Sequence, residues 1–564
     1  MFKRAGVIRK LIFAFLLRLI LLNIAFIVYF KYFVVLKTPE VEDLTPLNKE
    51  RIQISKDTYK LGNSWLKKSN SGLWEMYVEG KSFEIGVTIG KLTSELIYQQ
   101  ESAFVEQIKR LIPSKFYIQF LRFFVAWFNR NIDQNISSEY LNEIYGISFE
   151  ASDEFDFVGP KYQRILNYHA AHDIGHALQD MNIVGCTSFS VWNQKSADSS
   201  LIVGRNFDFY VGDEFAKNKI VAFYKPDSGY KFMMITWGGM IGAVSGMNEN
   251  GLTVTINASK SDIPTGAATP ISILAREILQ YSKNIEDAYN IAKKRKTFVS
   301  EAIMIGSAVD NKTAIIEKSP EKIGIFYPTE NQIICSNHYQ CDVFKNDSIN
   351  INNILESSSE YRRIRVAELL NAKESIDYLD VAKILRDMNG HNDSKIGYTN
   401  EKAINQLIAH HSVIFNANKL LAWVSTSPYQ MGEYVCYDLN KVFSVKNDDS
   451  LKNEINTAEL LIPADSFIYS DKYLKIMEYK AMLLVINNSI KKQESISQDY
   501  FNKFISSNKD FYLVYSKTGD YYFNQKDYAN ASQYYEIALK KEITTLKDRK
   551  KIEIQLSKCK ELSL

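Results

Sequence analysis

Short runs that alternate apolar and polar residues recur through the middle of the chain. Each is closed by turn-forming residues, which leaves few ways to fold it. Such runs cover 190–193 and 201–203, then 220–224, 232–236, 243–247 and 252–256. Two strand pairs follow at 299–318 and 322–335, and a last group at 412–415 and 420–424 closes near Phe443. Gly238-Gly239 and Asn248-Glu249-Asn250-Gly251 join neighbouring runs, and Asn-Gly supplies the positive φ angles of a tight hairpin. Helical periodicity intervenes at 271–295, 355–371 and 376–388. Antiparallel strands in meander order flanked by helices predict a layered α+β domain. Upstream, 73–80 alternates as a strand, and 83–90 opens an amphipathic helix running towards Ile112-Pro113. Its Gly86-x-x-x-Gly90 spacing predicts close backbone packing between that helix and a sheet. Helical patterns fill much of 114–181.

One hairpin in this series carries chemistry. Gly185-Cys186-Thr187-Ser188-Phe189 leads into an alternating run, which is followed by the turn Gly204-Arg205-Asn206-Phe207-Asp208. Folded back, the two segments bring a thiol, a guanidinium and a carboxylate together. A thiol is a poor nucleophile near pH 7 unless a base removes its proton or a cation holds the thiolate, and Arg205 is such a cation. If the Gly185–Cys186 peptide bond is broken, the freed α-amino group, with a pKa of roughly 8, becomes a general base for its own side chain. Asp208 would then orient that amine. The competing reading of Cys186 is a small buried hydrophobe, the commonest fate of a lone cysteine at a strand start.

At 564 residues the chain can bury at least one large core, and two or three domains are expected. A formal charge of +3 with both signs interspersed leaves no nucleic-acid footprint. The five cysteines (Cys186, Cys335, Cys341, Cys436, Cys559) are too few for a disulfide scaffold. Cys335 and Cys341 are close enough in sequence to pair in an oxidising compartment, but their spacing does not require it.

The first ten residues carry Lys3, Arg4, Arg9 and Lys10, and 11–36 is then almost continuously apolar apart from Arg18, Asn23 and Lys31. That length spans a bilayer, and no small-x-small cleavage site precedes Thr38-Pro39. Residues 1–37 therefore read as an uncleaved signal anchor, with the N-terminus cytoplasmic and the bulk of the chain across the membrane. A buried or monotopic helix is the alternative, with Arg18 snorkelling or paired. Residues 38–72 read as a polar linker with one or two short helices.

His169, His172 and His176 fall on one helical face. No Glu follows the first of them in the zincin manner, so a satisfied histidine face beside the site is preferred over a metal centre. From about 452 to 564 the composition turns to Lys, Asn, Tyr and Ile with helical period. Tyr515, Gly519, Tyr522, Ala531, Tyr535 and Ala538 match tetratricopeptide spacing, with Ile543 where proline is expected and 545–562 as a cap. One such repeat cannot bury both faces and must stack on its neighbours. A generic amphipathic helix hairpin is the alternative.

GCTSF and GRNFDF resemble the N-terminal-nucleophile (Ntn) cysteine acyltransferases and hydrolases, the family of acyl-coenzyme A:isopenicillin N acyltransferase. Choloylglycine hydrolase, acid ceramidase and N-acylethanolamine acid amidase are related to it. The resemblance continues through WEMYVEGKSFEIGVTIGKL, GMIGAVSGMNENGLTVTINA, IIEKSPEKIGIF, CSNHYQ, SSEYRRIRVAELL and HHSVIFNANKLLAWV, roughly 71 to 445. It implies a four-layer αββα sandwich over 73–445, self-cleavage between Gly185 and Cys186, and Cys186 as nucleophile. It also implies Arg205 beside the thiol, Asp208 on the α-amine, Asn257 on the tetrahedral oxyanion, Asn337 as a second amide near the nucleophile, and Arg362 ordering the site.

These readings together predict a membrane-anchored amide hydrolase or acyltransferase working through a Cys186 thioester, with no metal or cofactor. Its partners would be a small N-acyl amide or acyl donor, the membrane through 11–36, and a protein at the helical 452–564 region. A lipid-derived acyl group is expected by analogy. Fragment 1–185 is expected to stay docked after the cut. Two rivals remain: an inactive fold serving as a scaffold with a partner-binding tail, and a metal-dependent hydrolase centred on His169.

Overall fold

The computed structural model of the chain describes residues 2–111, 114–170, 185–209, 213–262, 266–444 and 447–563. Two sheets form its centre. The larger has eleven strands in the order β1-β2-β3-β4-β7-β8-β9-β10-β11-β12-β13, and the smaller has six, β14-β5-β6-β15-β16-β17. Strands β1 (Ile52–Ser55), β2 (Thr58–Leu61), β3 (Ser64–Lys68) and β4 (Trp74–Gly80) make one end of the larger sheet. Much of the segment expected to be a linker is thus strand, preceded by one short 3-10 turn at Thr45–Asn48. The Ile-Gln-Ile-Ser run of β1 alternates over only four residues, all of them exposed, too short a run to stand out from the polar sequence around it.

β4 pairs in parallel with β7 (Ile220–Pro226), from Trp74 opposite Ile220 to Gly80 opposite Pro226. The remaining strands of this sheet are β8 (Phe232–Thr236), β9 (Ser245–Asn248), β10 (Leu252–Ala258), β11 (Glu301–Ser307), β12 (Lys312–Lys318) and β13 (Ile323–Phe326), a meander of antiparallel neighbours. The smaller sheet is antiparallel throughout: β5 (Thr187–Asn193), β6 (Ser199–Phe207), β14 (Gln332–Cys335), β15 (His411–Asn416), β16 (Leu421–Ser425) and β17 (Tyr434–Asp438).

Alternation along the strands sorts the core into layers. Val221, Phe223, Met233 and Met304 of the larger sheet meet Leu201, Val203, Val413 and Phe415 of the smaller. The opposite face of the larger sheet, with Val78, Ala222, Met234 and Val254, is covered by α2 (Ser82–Leu92), α5 (Ser138–Ser148) and α7 (Ile271–Tyr281), with α8 (Ile285–Lys294) beside them. The outer face of the smaller sheet, with Phe189, Ile202 and Ile414, packs on α10 (Ser359–Asn371) and α11 (Tyr378–Leu385). α9 (Ser348–Glu356) precedes α10.

The helix expected from 83 to 112 is two, α2 and α3 (Ser94–Leu111), parted at Thr93, whose hydroxyl donates to the Ile89 carbonyl at 2.7 Å. The glycine spacing on α2 serves a helix rather than a sheet. A Cβ on Gly86 would lie 2.1 Å from the Glu143 carbonyl oxygen, and one on Gly146 would lie 2.5 Å from the Val87 nitrogen. Ile85 and Ile89 meet the core from the same helix, because only apolar bulk fills that space.

Helices α4 (Lys115–Phe128) and α6 (Lys161–His169) flank the end of α1 (Phe2–Tyr29). Leu11–Val34 is long and apolar enough to cross a membrane, with mean hydropathy 2.7, and its residues 11–29 are exposed. Phe123 of α4 sits edge-on to Phe26 and Phe30, and Gln163 of α6 donates to the Val34 carbonyl at 3.3 Å. The C-terminal region is helical: α12 (Asp471–Lys492), α13 (Gln498–Ser507), α14 (Tyr512–Asn524), α15 (Tyr528–Leu539) and α16 (Leu546–Leu562). They share a core of Tyr479, Phe501, Phe504, Tyr535 and Ile552. Gly519 lets the Tyr535 ring close in, since a Cβ there would meet it at 2.7 Å.

Candidate active site

The register of one hairpin builds the site. Ser188 pairs with Arg205 across β5 and β6, and Thr187 with Asn206, so Cys186, just before β5, lies beside the end of β6 and Asp208 beyond it. The Gly185 amide donates to the Asp208 carbonyl at 3.0 Å, which fixes that crossing. Cys186 is fully buried. Arg205 Nη2 approaches its Sγ at 3.7 Å.

Arg205 is held through both terminal nitrogens of its buried guanidinium, while Nε has no partner among the described residues. Nη1 donates to the Val244 carbonyl at 2.9 Å and to the Ser245 hydroxyl, Nη2 also donates to the Ile256 carbonyl, and the guanidinium lies 4.3 Å over the Phe207 ring. These partners are at β9 and β10, so the arginine reaches from the smaller sheet into the larger. Burial pushes the Cys186 thiol up to about 11, against the pull of Arg205 and with a further push from Asp208. In the intact chain the sulfur is a protonated thiol at neutral pH.

Asp208 is fully buried and neither carboxyl oxygen has a hydrogen-bond partner among the described residues. Burial lifts it to about 7, with Arg362 and then Arg205 pulling the other way. Asn257, on β10, accepts from the Ser188 hydroxyl at 2.8 Å and donates to the Cys335 carbonyl at 3.0 Å, tying the larger sheet to β5 and β14 next to the nucleophile. Asn337 donates to the Ala258 carbonyl at 2.9 Å, and its Oδ1 accepts from Arg362 Nη2. Arg362 also donates to the Glu401 carbonyl at 2.7 Å. The six residues thus form two linked groups, Cys186–Arg205–Asp208 and Asn337–Arg362. Asn257 lies between them, one residue from Ala258.

Other residues join the site that the sequence alone does not single out. Gln406 Nε2 donates to the Gly185 carbonyl at 2.9 Å, and a Cβ on Gly185 would strike that amide at 2.8 Å. The Ser245 hydroxyl lies 2.8 Å from His411 Nε2, and His411 Nδ1 lies 3.0 Å from His410 Nδ1. With Arg205 donating to Ser245, the hydroxyl proton goes to His411, and the histidine pair continues the chain of bonds. Burial drives His410 down to about 3, with Lys219 and Arg205 adding to it, so the pair is neutral. The double histidine opening an apolar strand was the available signal. Gln406 sits in a loop with no periodicity and gave none.

His169 is buried, with Nδ1 2.9 Å from the Ile165 carbonyl and Nε2 accepting from the Ile241 amide at 3.0 Å. Both ring nitrogens are engaged by backbone, and burial lowers it to about 4. His172 and His176 lie outside the described residues. No group of three or more His, Cys, Asp or Glu residues poised for a metal occurs among the described residues. All five cysteines are buried free thiols.

An apolar pocket adjoins the site. Phe104, Phe209, Phe215, Trp237 and Met240 line it together with Val244, whose carbonyl binds Arg205.

Residues 192–426 match the family model for acyl-coenzyme A:6-aminopenicillanic acid acyl-transferase, a span that starts after Cys186 and includes the other five candidate residues. The chain is 22% identical to Protein dcd1B of Dictyostelium discoideum over 270 residues, 44% of this chain and 51% of that one. It is 22% identical to an uncharacterized protein of Archaeoglobus fulgidus over 292 residues, 49% and 48% of the two chains. It therefore spans about half the length of the curated relatives it matches. Among solved structures, a Caenorhabditis elegans N-acylethanolamine-hydrolyzing acid amidase ortholog aligns at 16% identity and TM-score 0.30, covering 41% of this chain and 93% of that one. A mutant of conjugated bile acid hydrolase from Clostridium perfringens aligns at 16% identity and TM-score 0.32, covering 45% and 93%. The stretch that matches this family model is the one that carries Arg205, Asp208, Asn257, Asn337 and Arg362.

Proposed function

We propose that the protein is a membrane-anchored Ntn cysteine hydrolase or acyltransferase of the four-layer αββα type that cleaves itself before Cys186 and then acts on a linear N-acyl amide. The observation that carries this reading is the pairing, at the Gly185–Cys186 junction, of a thiol under a guanidinium with a buried carboxyl that has no hydrogen-bond partner among the described residues. A buried carboxyl without a partner is costly unless a cation completes it. The α-ammonium released at Cys186 is such a cation.

In the first reaction the Cys186 sulfur attacks the Gly185 carbonyl carbon, whose oxygen already accepts from Gln406. The thiol proton passes to the departing Cys186 nitrogen, the peptide C–N bond breaks, and a thioester remains. Water then opens the thioester, releasing one proton to solvent and leaving a carboxylate on Gly185 and a free thiol and amine on Cys186. In the second reaction that amine takes the thiol proton while sulfur attacks the substrate carbonyl. Side-chain amides of Asn257 and Asn337 stabilise the oxyanion, and preorganised donors of this kind are typically worth on the order of a hundredfold each. The proton is handed to the leaving amine, and water or an acceptor amine resolves the new thioester.

The aromatic cavity sharing Val244 with Arg205 supports an apolar acyl group as the donor. The exposed apolar α1, led by Lys3, Arg4, Arg9 and Lys10, supports anchoring with the catalytic part across the membrane. Denaturing gels and intact mass test the first step: wild type separates into 1–185 and 186–564, whereas Cys186→Ala stays whole. A panel of N-acyl amides of increasing chain length tests the second, with release of fatty acid only from cleaved protein. An uncut chain that still hydrolyses the amide would overturn the reading.

A further inference from the structure

The C-terminal helices lie outside the matched family region, yet their turn between α15 and α16 is bonded to both supports of Arg362. Ser358, which precedes α10, donates through its hydroxyl to the Thr544 carbonyl at 2.9 Å, and its own carbonyl accepts from the Arg362 amide at 3.1 Å. Asn400 donates to the Glu542 carbonyl at 3.1 Å and accepts from the Thr544 hydroxyl at 3.4 Å. Lys402 forms an ion pair with Glu542. Between Asn400 and Lys402 lies Glu401, whose carbonyl receives the Arg362 guanidinium. Ser358, Asn400 and Thr544 are all buried. The same loop is gripped further back: Asn508 exchanges two hydrogen bonds with Tyr398, and a Cβ on Gly397 would strike Phe511 Cα at 2.4 Å.

One turn thus fixes the start of the helix that carries Arg362 and the loop carbonyl that Arg362 binds. The guanidinium in turn occupies Asn337 Oδ1, which decides that the donor end of that amide, not its oxygen, faces Ala258. Arg362 also exerts the strongest cationic pull on Asp208.

We propose that the 540–545 turn is a positioning element of the catalytic site: through Ser358, Asn400 and Lys402 it sets where Arg362 holds Asn337. The C-terminal helices then act on their own chain's chemistry. This rests on the Cys186 reading above. Displacing a positioned donor by about 1 Å can cost on the order of a hundredfold in rate, so loosening one of three ties should cost about tenfold.

The test uses the full chain in detergent, with Ser358→Ala, Asn400→Ala and Lys402→Ala, the conservative Ser358→Thr and Lys402→Arg, and Lys560→Ala as control. Lys560 pairs with Glu536 at 3.3 Å. The rate of scission before Cys186 and the kcat and KM on an N-acyl amide are read beside the melting temperature. The expected result is a fall of about tenfold in scission rate and kcat for the three alanine variants, with KM within about threefold. The conservative variants recover the rate, and Lys560→Ala matches wild type. Alanine variants that melt lower but cut and turn over at wild-type rates would overturn the proposal while leaving the Cys186 reading intact. A wild-type chain that neither cuts nor turns over would overturn both.

Discussion

Asp208 states the site's electrostatics most sharply. Its carboxyl, held at about 7 by burial, keeps its proton in the folded chain at pH values where the unfolded chain, near 4, has already released it. Folding stability contributed at this position therefore falls as pH rises from about 4 to 7, and the loss is complete above the folded value. In a Cys186→Ala background, which keeps the chain whole, Asp208→Asn should leave the melting temperature nearly unchanged at pH 4. It should raise stability by roughly 1–4 kcal/mol at pH 8. Thermal melts at the two pH values check this; a gain that is flat with pH would rule out a buried unpaired carboxylate. Arg205 is the opposite case, a cation with partners at β9 and β10 and on the sulfur. Arg205→Lys cannot reproduce the fork and should lower activity at least about a hundredfold, as assayed by acyl-amide turnover. Cys186, Arg205 and Asp208 were legible because a hairpin register converts spacing directly into proximity. Gln406 and Ser245 reach the same place from a loop and a distant strand, and no local pattern encodes such an approach.

Among the elements, α2 and α5 show packing that local periodicity underdetermines. The glycines on α2 were visible as a motif, but the partner they face was not, since helix and sheet make the same demand for a small residue. Gly146→Ala puts a methyl group 2.5 Å from backbone in α2 and should destabilise the protein by about 2 kcal/mol or more, measured by chemical denaturation. An unchanged midpoint would mean that the two helices can separate at little cost. Most inner strands could be read from alternation and turns. β1 was hidden because its residues are exposed on both faces, and β17 because its five-residue run Tyr-Val-Cys-Tyr-Asp is buried on both sides apart from its last residue and does not alternate. The single helix expected from 83 onward divides at Thr93, where a side-chain hydroxyl satisfies the end of the first helix.

For the molecule as a whole, the junction before Cys186 divides the chain so that β1 to β4 lie on one side and the rest of the larger sheet on the other. After scission the two fragments should co-elute in size-exclusion chromatography and part only in denaturant, because β4 is joined to β7 along seven residue pairs. Separation without denaturant would contradict that expectation. The smaller fragment also holds Leu11–Val34, so a chain lacking residues 1–38 should leave the membrane pellet after alkaline extraction with its second fragment still folded. Retention in the pellet would point to a further lipid contact. The parallel ladder has one more consequence. A molecule nicked at this junction that is melted releases two polypeptides, and its recovery becomes a bimolecular search instead of a chain folding back on itself. Its apparent melting point should climb with protein concentration, and at high dilution each copy should survive only one folding event.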